Sequence, residues 1–284
     1  MTTPHRSRGV SLVSWNVNGG PWRTHVEDLE VDVALLQEVV RPSLSEAGLE
    51  VVPSPDTASW HTTGWKTRPF RTAIVRLSDR VSLHPRPTGD LSDPDRSLLS
   101  VSRAGTLTAA DVVVDGAVLF TAVSWYATWE HPPGSGELLG ADTSAHRLLS
   151  DLGGLVNSSR GHRIVAAGDL NLLYGYGDYG NPYWARRYAT VFDRADAMGL
   201  VMVGPQHPHG RPADPWPEEL PPDSRNVPTY HTAAQGPAGA TRQLDFVFAS
   251  RAIADRVHVR ALNEPDEWGP SDHCRIRIDV DLPT

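Results

Sequence analysis

One cysteine, Cys274, is all that 284 residues provide, so no disulfide can form within the chain and the fold does not depend on an oxidising compartment. It lies where an apolar run resumes after His273, which suits a buried core thiol better than a reactive one. No apolar run reaches the ~18 residues of a spanning helix. The segment from Met1 to Gly9 is polar and basic, with no apolar h-region after it. Neither a membrane protein nor a secretory precursor is expected, and the cytoplasm is the default compartment. Broad positive charge is also missing. The net charge of −8 argues against a tight, nonspecific grip on duplex DNA through a basic face. The Gly134–Gly140 and Gly175–Gly180 tracts carry no Walker lysine, and the His207-Pro208-His209 run has no partner ligands at zinc spacing.

Short strand-like runs dominate what is present: Val10–Trp15, Val33–Leu36, Arg71–Leu77, Thr106–Val114, Val118–Trp125, Arg163–Ala167, Gln243–Ala249, Arg256–Ala261 and Arg275–Val280. Asp115-Gly116 suits a tight hairpin turn between two of them. Consecutive apolar residues, as in Ile164-Val165-Ala166, fit strands buried on both faces. Helices are expected over Trp22–Leu29, Ala141–Leu155 and Tyr183–Met198, the last closed by Gly199. The tracts His84 to Arg96 and proline-rich Gly204 to Pro228 read as long loops. The pattern fits an α/β fold with helices packed outside a pair of sheets. Residues 1–9 are expected to be a disordered tail and 10–284 one domain, since the polar signatures straddle any cut.

Those signatures are Ser14-Trp15-Asn16-Val17-Asn18, Leu35-Leu36-Gln37-Glu38, Gly168-Asp169-Leu170-Asn171, Gln243-Leu244-Asp245-Phe246 and Ser271-Asp272-His273. Each hangs on the end of an apolar run. If those ends converge, Glu38, Asp169, Asp245 and Asp272 repel one another, and a hard divalent cation relieves the repulsion. One such carboxylate alone would more simply be a turn or cap residue; all of them together at strand ends are hard to explain that way.

The stretches SWNVNG, LLQEV, GDLN, LDFVF and SDH, in this order from about residue 10 to 280, resemble the endonuclease/exonuclease/phosphatase superfamily. That resemblance implies a single catalytic domain over 10–284, a four-layer α/β/β/α sandwich of two mixed β-sheets face to face with outer helices. It also implies Mg²⁺, with Mn²⁺ as a possible substitute, held by Glu38 with Asn16 and Asp272 near the metal or phosphate. It implies that Asp169 orients or deprotonates the attacking water and that Asn171 holds that geometry. His273, hydrogen-bonded to Asp245, would stabilise the phosphate's developing charge. Ser124 or Tyr126 would fill a further phosphate-binding slot, with Tyr126 the better donor. Asn18 stands where apurinic endonucleases often carry Asp, which speaks for one metal rather than two.

The expected activity is phosphodiester hydrolysis, as by a nuclease or endonuclease, with a nucleic-acid substrate, no membrane and no obligate protein partner. Alternatives are a phosphomonoesterase, a sphingomyelinase- or inositol-phosphatase-like enzyme, and a non-catalytic binding protein of the same fold. After GDLN, Tyr176, Tyr179, Tyr183 and Trp184, with Arg186 and Arg187, form a candidate platform for single-stranded or distorted nucleic acid. The same residues at helical spacing would equally pack a helix onto the sandwich.

Overall fold

Alternation along a handful of strands sets the layering. The computed structural model describes residues 9–45, 48–56, 70–93, 95–130, 134, 140–156, 162–176 and 182–282. The expected tail, Gly9 excepted, and Tyr179 lie outside the described residues. In chain order the first elements are β1 (Val10–Asn16), α1 (Arg23–Glu27), β2 (Val33–Val40), α2 (Arg41–Ser45), β3 (Val51–Val52) and β4 (Phe70–Arg76). Then come β5 (Ser82–Arg86), β6 (Thr88–Asp90), β7 (Leu99–Val101), β8 (Leu107–Val114) and β9 (Ala117–Tyr126). The remainder are α3 (Asp142–Asp151), α4 (Gly153–Val156), β10 (Ile164–Asp169), α5 (Pro182–Ala197), β11 (Leu200–Gly204), β12 (Asp245–Ser250), β13 (Val257–Leu262) and β14 (Arg275–Val280).

One six-stranded sheet runs β13-β14-β1-β2-β4-β3 and the other β11-β12-β10-β9-β8-β5. Each is mixed, because β1 and β2 are parallel in the first and β9 and β10 in the second, among antiparallel neighbours. Side chains of period two divide between the faces. Val10 and Leu12, Val33 and Leu35, Val165 and Ala167, and Val247 and Ala249 meet in the core between the sheets. Their neighbours in sequence face outward. Val13, Trp15, Ala34 and Leu36 pack with Trp22 and Val26 from the α1 region and Leu44 of α2. Ile164, Ala166, Phe246 and Phe248 pack against Leu148 of α3 and Val191 and Phe192 of α5. Helix, sheet, sheet and helix are therefore stacked in that order, as the sequence pattern predicts.

The Asp115-Gly116 turn joins β8 to β9 with positive φ at both residues (50° and 80°), the requirement of a type I′ turn. The tract His84 to Arg96 differs from the expected loop. Its first residues complete β5, and Thr88–Asp90 forms β6 beside β7. Pro85 and the surrounding charges hid the strand, and β5 tolerates them because it is an edge, paired on one side by β8. The Ala141–Leu155 helix is broken between Asp151 and Gly153, and Tyr183–Met198 is realised as α5.

Candidate functional site

Continuing the inner-face alternation to one end of the sandwich turns each apolar row polar. After Val10 and Leu12 come Ser14 and Asn16; after Leu35 comes Gln37; after Val165 and Ala167 comes Asp169; before Val247 comes Asp245. The polar ends lie on both sheets and collect at one mouth. Gly168 in GDLN has a specific reason to be glycine. Its φ is 153°, and a Cβ there would collide with the Trp125 carbonyl oxygen of β9.

At the mouth the backbone leaves ordinary strand geometry. Five described residues other than glycine have positive φ, and three of them, Asn18 (46°), Glu38 (53°) and Asn171 (52°), line the cleft. Glu38 sits where the β2–β4 register shifts between Leu36 and Val39, so a bulge turns its carboxylate into the cleft. Asn171 is no longer part of a period-two strand. It curls back, its backbone N–H donating to Asp169 Oδ1 (2.8 Å) and its amide to Asp169 Oδ2 (3.1 Å) and the Ala127 carbonyl (3.0 Å).

The resulting cleft has a volume of about 490 Å³. Asn16, Asn18, Glu38, Tyr126, Asp169, Asn171, Asp272 and His273 all line it. The Asn16 amide nitrogen donates to Asp169 Oδ2 (3.0 Å) and Glu38 Oε1 (3.3 Å), while its Oδ1 accepts from the Asn18 N–H. Asn18 in turn donates to Asp272 Oδ1 (3.2 Å). Asp245 lies behind the cleft wall, its Oδ2 2.8 Å from His273 Nδ1, and the other ring nitrogen is 3.7 Å from Asp169 Oδ2. The ligand atoms of Asp169, Asp245 and His273 fall within 4.8 Å of one another, a spacing that could hold a metal ion.

Burial opposes a charge on His273, but Asp245, Asp169 and Asp272 outweigh it and raise the imidazole to about 10. Burial also raises Asp169, to about 7; His273 and the Asn171 N–H pull it down, and Asp245 and Glu38 push it up. All the carboxylate donors are hard oxygens, the chemistry that Mg²⁺ or Mn²⁺ prefers.

Some sequence candidates are placed elsewhere. Ser124 is buried between the sheets, donating to the Leu36 carbonyl (2.8 Å) and accepting from Gln37 Nε2 (2.9 Å), and it does not line the cleft. Tyr126, two residues further along the same face of β9, lines the opening instead. Arg187 binds Asp142 of α3 through two nitrogens (2.8 and 3.0 Å) and the Tyr183 hydroxyl (2.8 Å), so its guanidinium is engaged between helices. Arg186 is exposed on α5 and lines no part of the cleft. Trp184 lines an adjoining pocket instead.

Sequence reasoning missed other lining residues: Trp129, whose indole N–H donates to Asn171 Oδ1 (3.1 Å), Tyr230, whose ring lies 5.0 Å from that of His273, and Arg242. Arg242 stands two residues before the LDFVF stretch and carries no signal of its own.

The sandwich and its acid–imidazole centre together define a hydrolase of phosphoester bonds. The chain belongs to the Endonuclease/Exonuclease/phosphatase family, whose family model matches residues 13–273. An AP endonuclease from Leishmania major superposes with a TM-score of 0.62 at 19% identity, covering 98% of this chain and 89% of that one. An AP endonuclease from Archaeoglobus fulgidus gives 0.60 at 17%, covering 96% and 100%. A 3' phosphatase from Neisseria, solved with a product DNA hairpin, gives 0.56 at 17%, covering 96% and 100%. At these identities the structural likeness establishes the fold. A sequence search among curated proteins finds no match. Among the described residues no helix is long and apolar enough to cross a membrane.

Proposed function

We propose that residues 10–284 act as one catalytic unit, a cytoplasmic enzyme that hydrolyses phosphodiesters in nucleic acid with Mg²⁺, or Mn²⁺ in its place. The observation that carries this reading is the convergence of Glu38, Asp169 and Asp272 on one cleft, with His273 backed by Asp245. Glu38 and Asp272 would hold the cation, and Asn16, bonded to Glu38, would keep the donors in place. When bound, the ion supplies Lewis-acid polarisation of the phosphoryl oxygen and stabilises the leaving oxygen.

Asp169 suits the role of base. Raised to about 7, it can take a proton near neutrality, and Asn16 and Asn171 fix its orientation. Water attacks phosphorus, its proton passes to Asp169, and the bond from phosphorus to the leaving oxygen breaks, the leaving alkoxide taking a proton from solvent. His273, protonated at neutral pH, meets the charge that gathers on the non-bridging oxygens. Asp245 holds the ring through Nδ1 and sustains its charge. Among the described residues no serine, threonine or cysteine lines the cleft, which favours water over an aliphatic hydroxyl or a thiol as the nucleophile. Tyr126 would donate its phenol to the phosphate.

A flexible single strand is the preferred substrate in this reading, because the net charge of −8 offers little to a rigid duplex. The DNA-bound relative is a 3' phosphatase, so a phosphomonoester at a strand end is the second reading. Release of acid-soluble nucleotides, and of nitrophenol from a bis-ester against a mono-ester, each with and without EDTA, tests both. Nucleotide release and bis-ester cleavage that vanish in EDTA are expected; activity on the mono-ester alone would favour the second reading.

A further inference from the structure

Beside the catalytic cleft lies a second pocket of about 280 Å³ that the proposed reaction does not use. Leu173, Tyr188 and Arg242 belong to the walls of both, so the two spaces adjoin. Its aromatic wall is built by Tyr176, Trp184 and Tyr188, and the rings of Trp184 and Tyr188 stack 5.8 Å apart at 29°. Glu219, from the proline-rich loop, and Arg242 are its charged members. Among the described residues neither of these two forms an ion pair or a side-chain hydrogen bond, and both are exposed. Arg242 is felt by Tyr176 and Tyr188 on one side and by Tyr230 on the other, which places its charge between the two spaces.

We propose that this pocket is a nucleobase subsite for the residue next to the scissile phosphate, with Arg242 contacting the phosphate between pocket and cleft. Polarity sets the orientation. The Glu219 carboxylate repels a phosphate from the pocket and accepts a hydrogen bond from a base amino or ring N–H, whereas Arg242 attracts a phosphate toward the cleft. The aromatic wall favours a planar base, which stacks on rings more strongly than an aliphatic group or a lone deoxyribose does. The inference rests on the phosphodiesterase reading for the role of the neighbouring cleft. It redraws the platform expected from sequence: Tyr176 and Trp184 remain, Tyr188 takes the place of Tyr183, and Arg242 takes that of Arg186 and Arg187.

The test is equilibrium binding by the full-length protein in EDTA, comparing deoxyadenosine 5'-monophosphate with 2-deoxyribose 5-phosphate by calorimetry or saturation-transfer NMR. The parent should bind the nucleotide at least about tenfold more tightly, the scale of one stacked base. Trp184→Leu should reduce that preference to about twofold or less. Arg242→Gln should weaken both ligands alike, leaving their ratio unchanged. Trp184 also packs against the α3–α5 layer, so the exposed Glu219→Ala serves as a second variant. It should lower nucleotide affinity several-fold while the sugar phosphate binds as well as before or slightly better.

Equal affinities in the parent, or a preference undiminished in both Trp184→Leu and Glu219→Ala, would overturn the proposal. Strand cleavage is read separately. A preserved base preference in a protein that cuts no strand supports the subsite and sinks the reading of the cleft.

Discussion

The Asn16 amide nitrogen of β1 lies 3.0 Å from Asp169 Oδ2 of β10, so one side chain ties the two sheets together across the mouth of the sandwich. The same nitrogen reaches Glu38 Oε1 at 3.3 Å, which makes Asn16 a bridge between the proposed metal-holding and water-activating carboxylates. Removing it takes a donor from each of two buried carboxylates, although Asp169 Oδ2 keeps the Asn171 amide. Asn16→Ala should cost about 1–3 kcal/mol of stability. The rate should also fall, by tenfold or more on the order-of-magnitude scale of a lost positioning contact. Urea unfolding and kcat measured on the same preparation check both; an unchanged kcat would remove Asn16 from the site.

Glu38→Gln should abolish activity by weakening cation binding rather than by unfolding the chain. The amide has the same shape and the same φ of 53° to satisfy, but it is a poorer donor to a hard cation. Calorimetric titration with Mg²⁺ should show the affinity lost with the melting temperature held. If binding and turnover match the parent, Glu38 is not a ligand.

Asp245→Asn and His273→Ala should each lower kcat/KM at least about a hundredfold, the usual scale for a charge-stabilising group. The double variant should be no worse than the poorer single, because the 2.8 Å pair acts as one unit. Additive losses would contradict that. The pair also carries a pH signature. His273 is raised above its unfolded value, so the stability it contributes is fully present below pH ~6.5 and is lost as pH rises through about 10. The stability gap between the parent and Asp245→Asn should therefore be wide at pH 6 and narrow on approaching pH 10.

Arg187→Ala should act on stability, not on substrate. Its guanidinium holds the buried Asp142 carboxylate from two nitrogens, and charge-assisted bonds of this kind contribute about 1.5–3 kcal/mol. A lowered urea midpoint with unchanged KM is expected; a raised KM at full stability would return Arg187 to the substrate path.

Cys274 is buried in the inter-sheet core, where burial raises its thiol well above the ordinary range. The native protein should therefore resist a disulfide-exchange reagent that reacts fully after denaturation. Rapid reaction of the native thiol would contradict its burial.

What the sequence made legible was whatever period-two alternation encodes. The rows Val165-Ala167-Asp169 and Leu12-Ser14-Asn16 place a polar residue one step beyond apolar ones, and the four-layer arrangement and the mouth follow from that. Where alternation breaks, the reading fails. Ser124 and Tyr126 share a face, so no pattern says that the first stays between the sheets while the second reaches the cleft. Glu38 was legible through the LLQEV stretch and not through alternation, because a bulge turns it into the cleft, and β5, containing Pro85, depends on lying at an edge. Trp129, Tyr230 and Arg242 lie outside the regular strands, and only the folded chain brings them to the cleft. Arg187 looked available because its partner, Asp142, is 45 residues away.

In the proposed reaction Asp169 activates water for phosphodiester cleavage at a cation held beside it. The most direct measurement compares the parent with Asp169→Asn on one end-labelled single-stranded oligonucleotide, in Mg²⁺ and in EDTA, with Mg²⁺ affinity measured in parallel. Fragments are expected from the parent in Mg²⁺ only. The variant should lose at least about a hundredfold in rate while the cation still binds. Cleavage undiminished by EDTA, or a variant that cuts as fast as the parent, would contradict that reaction.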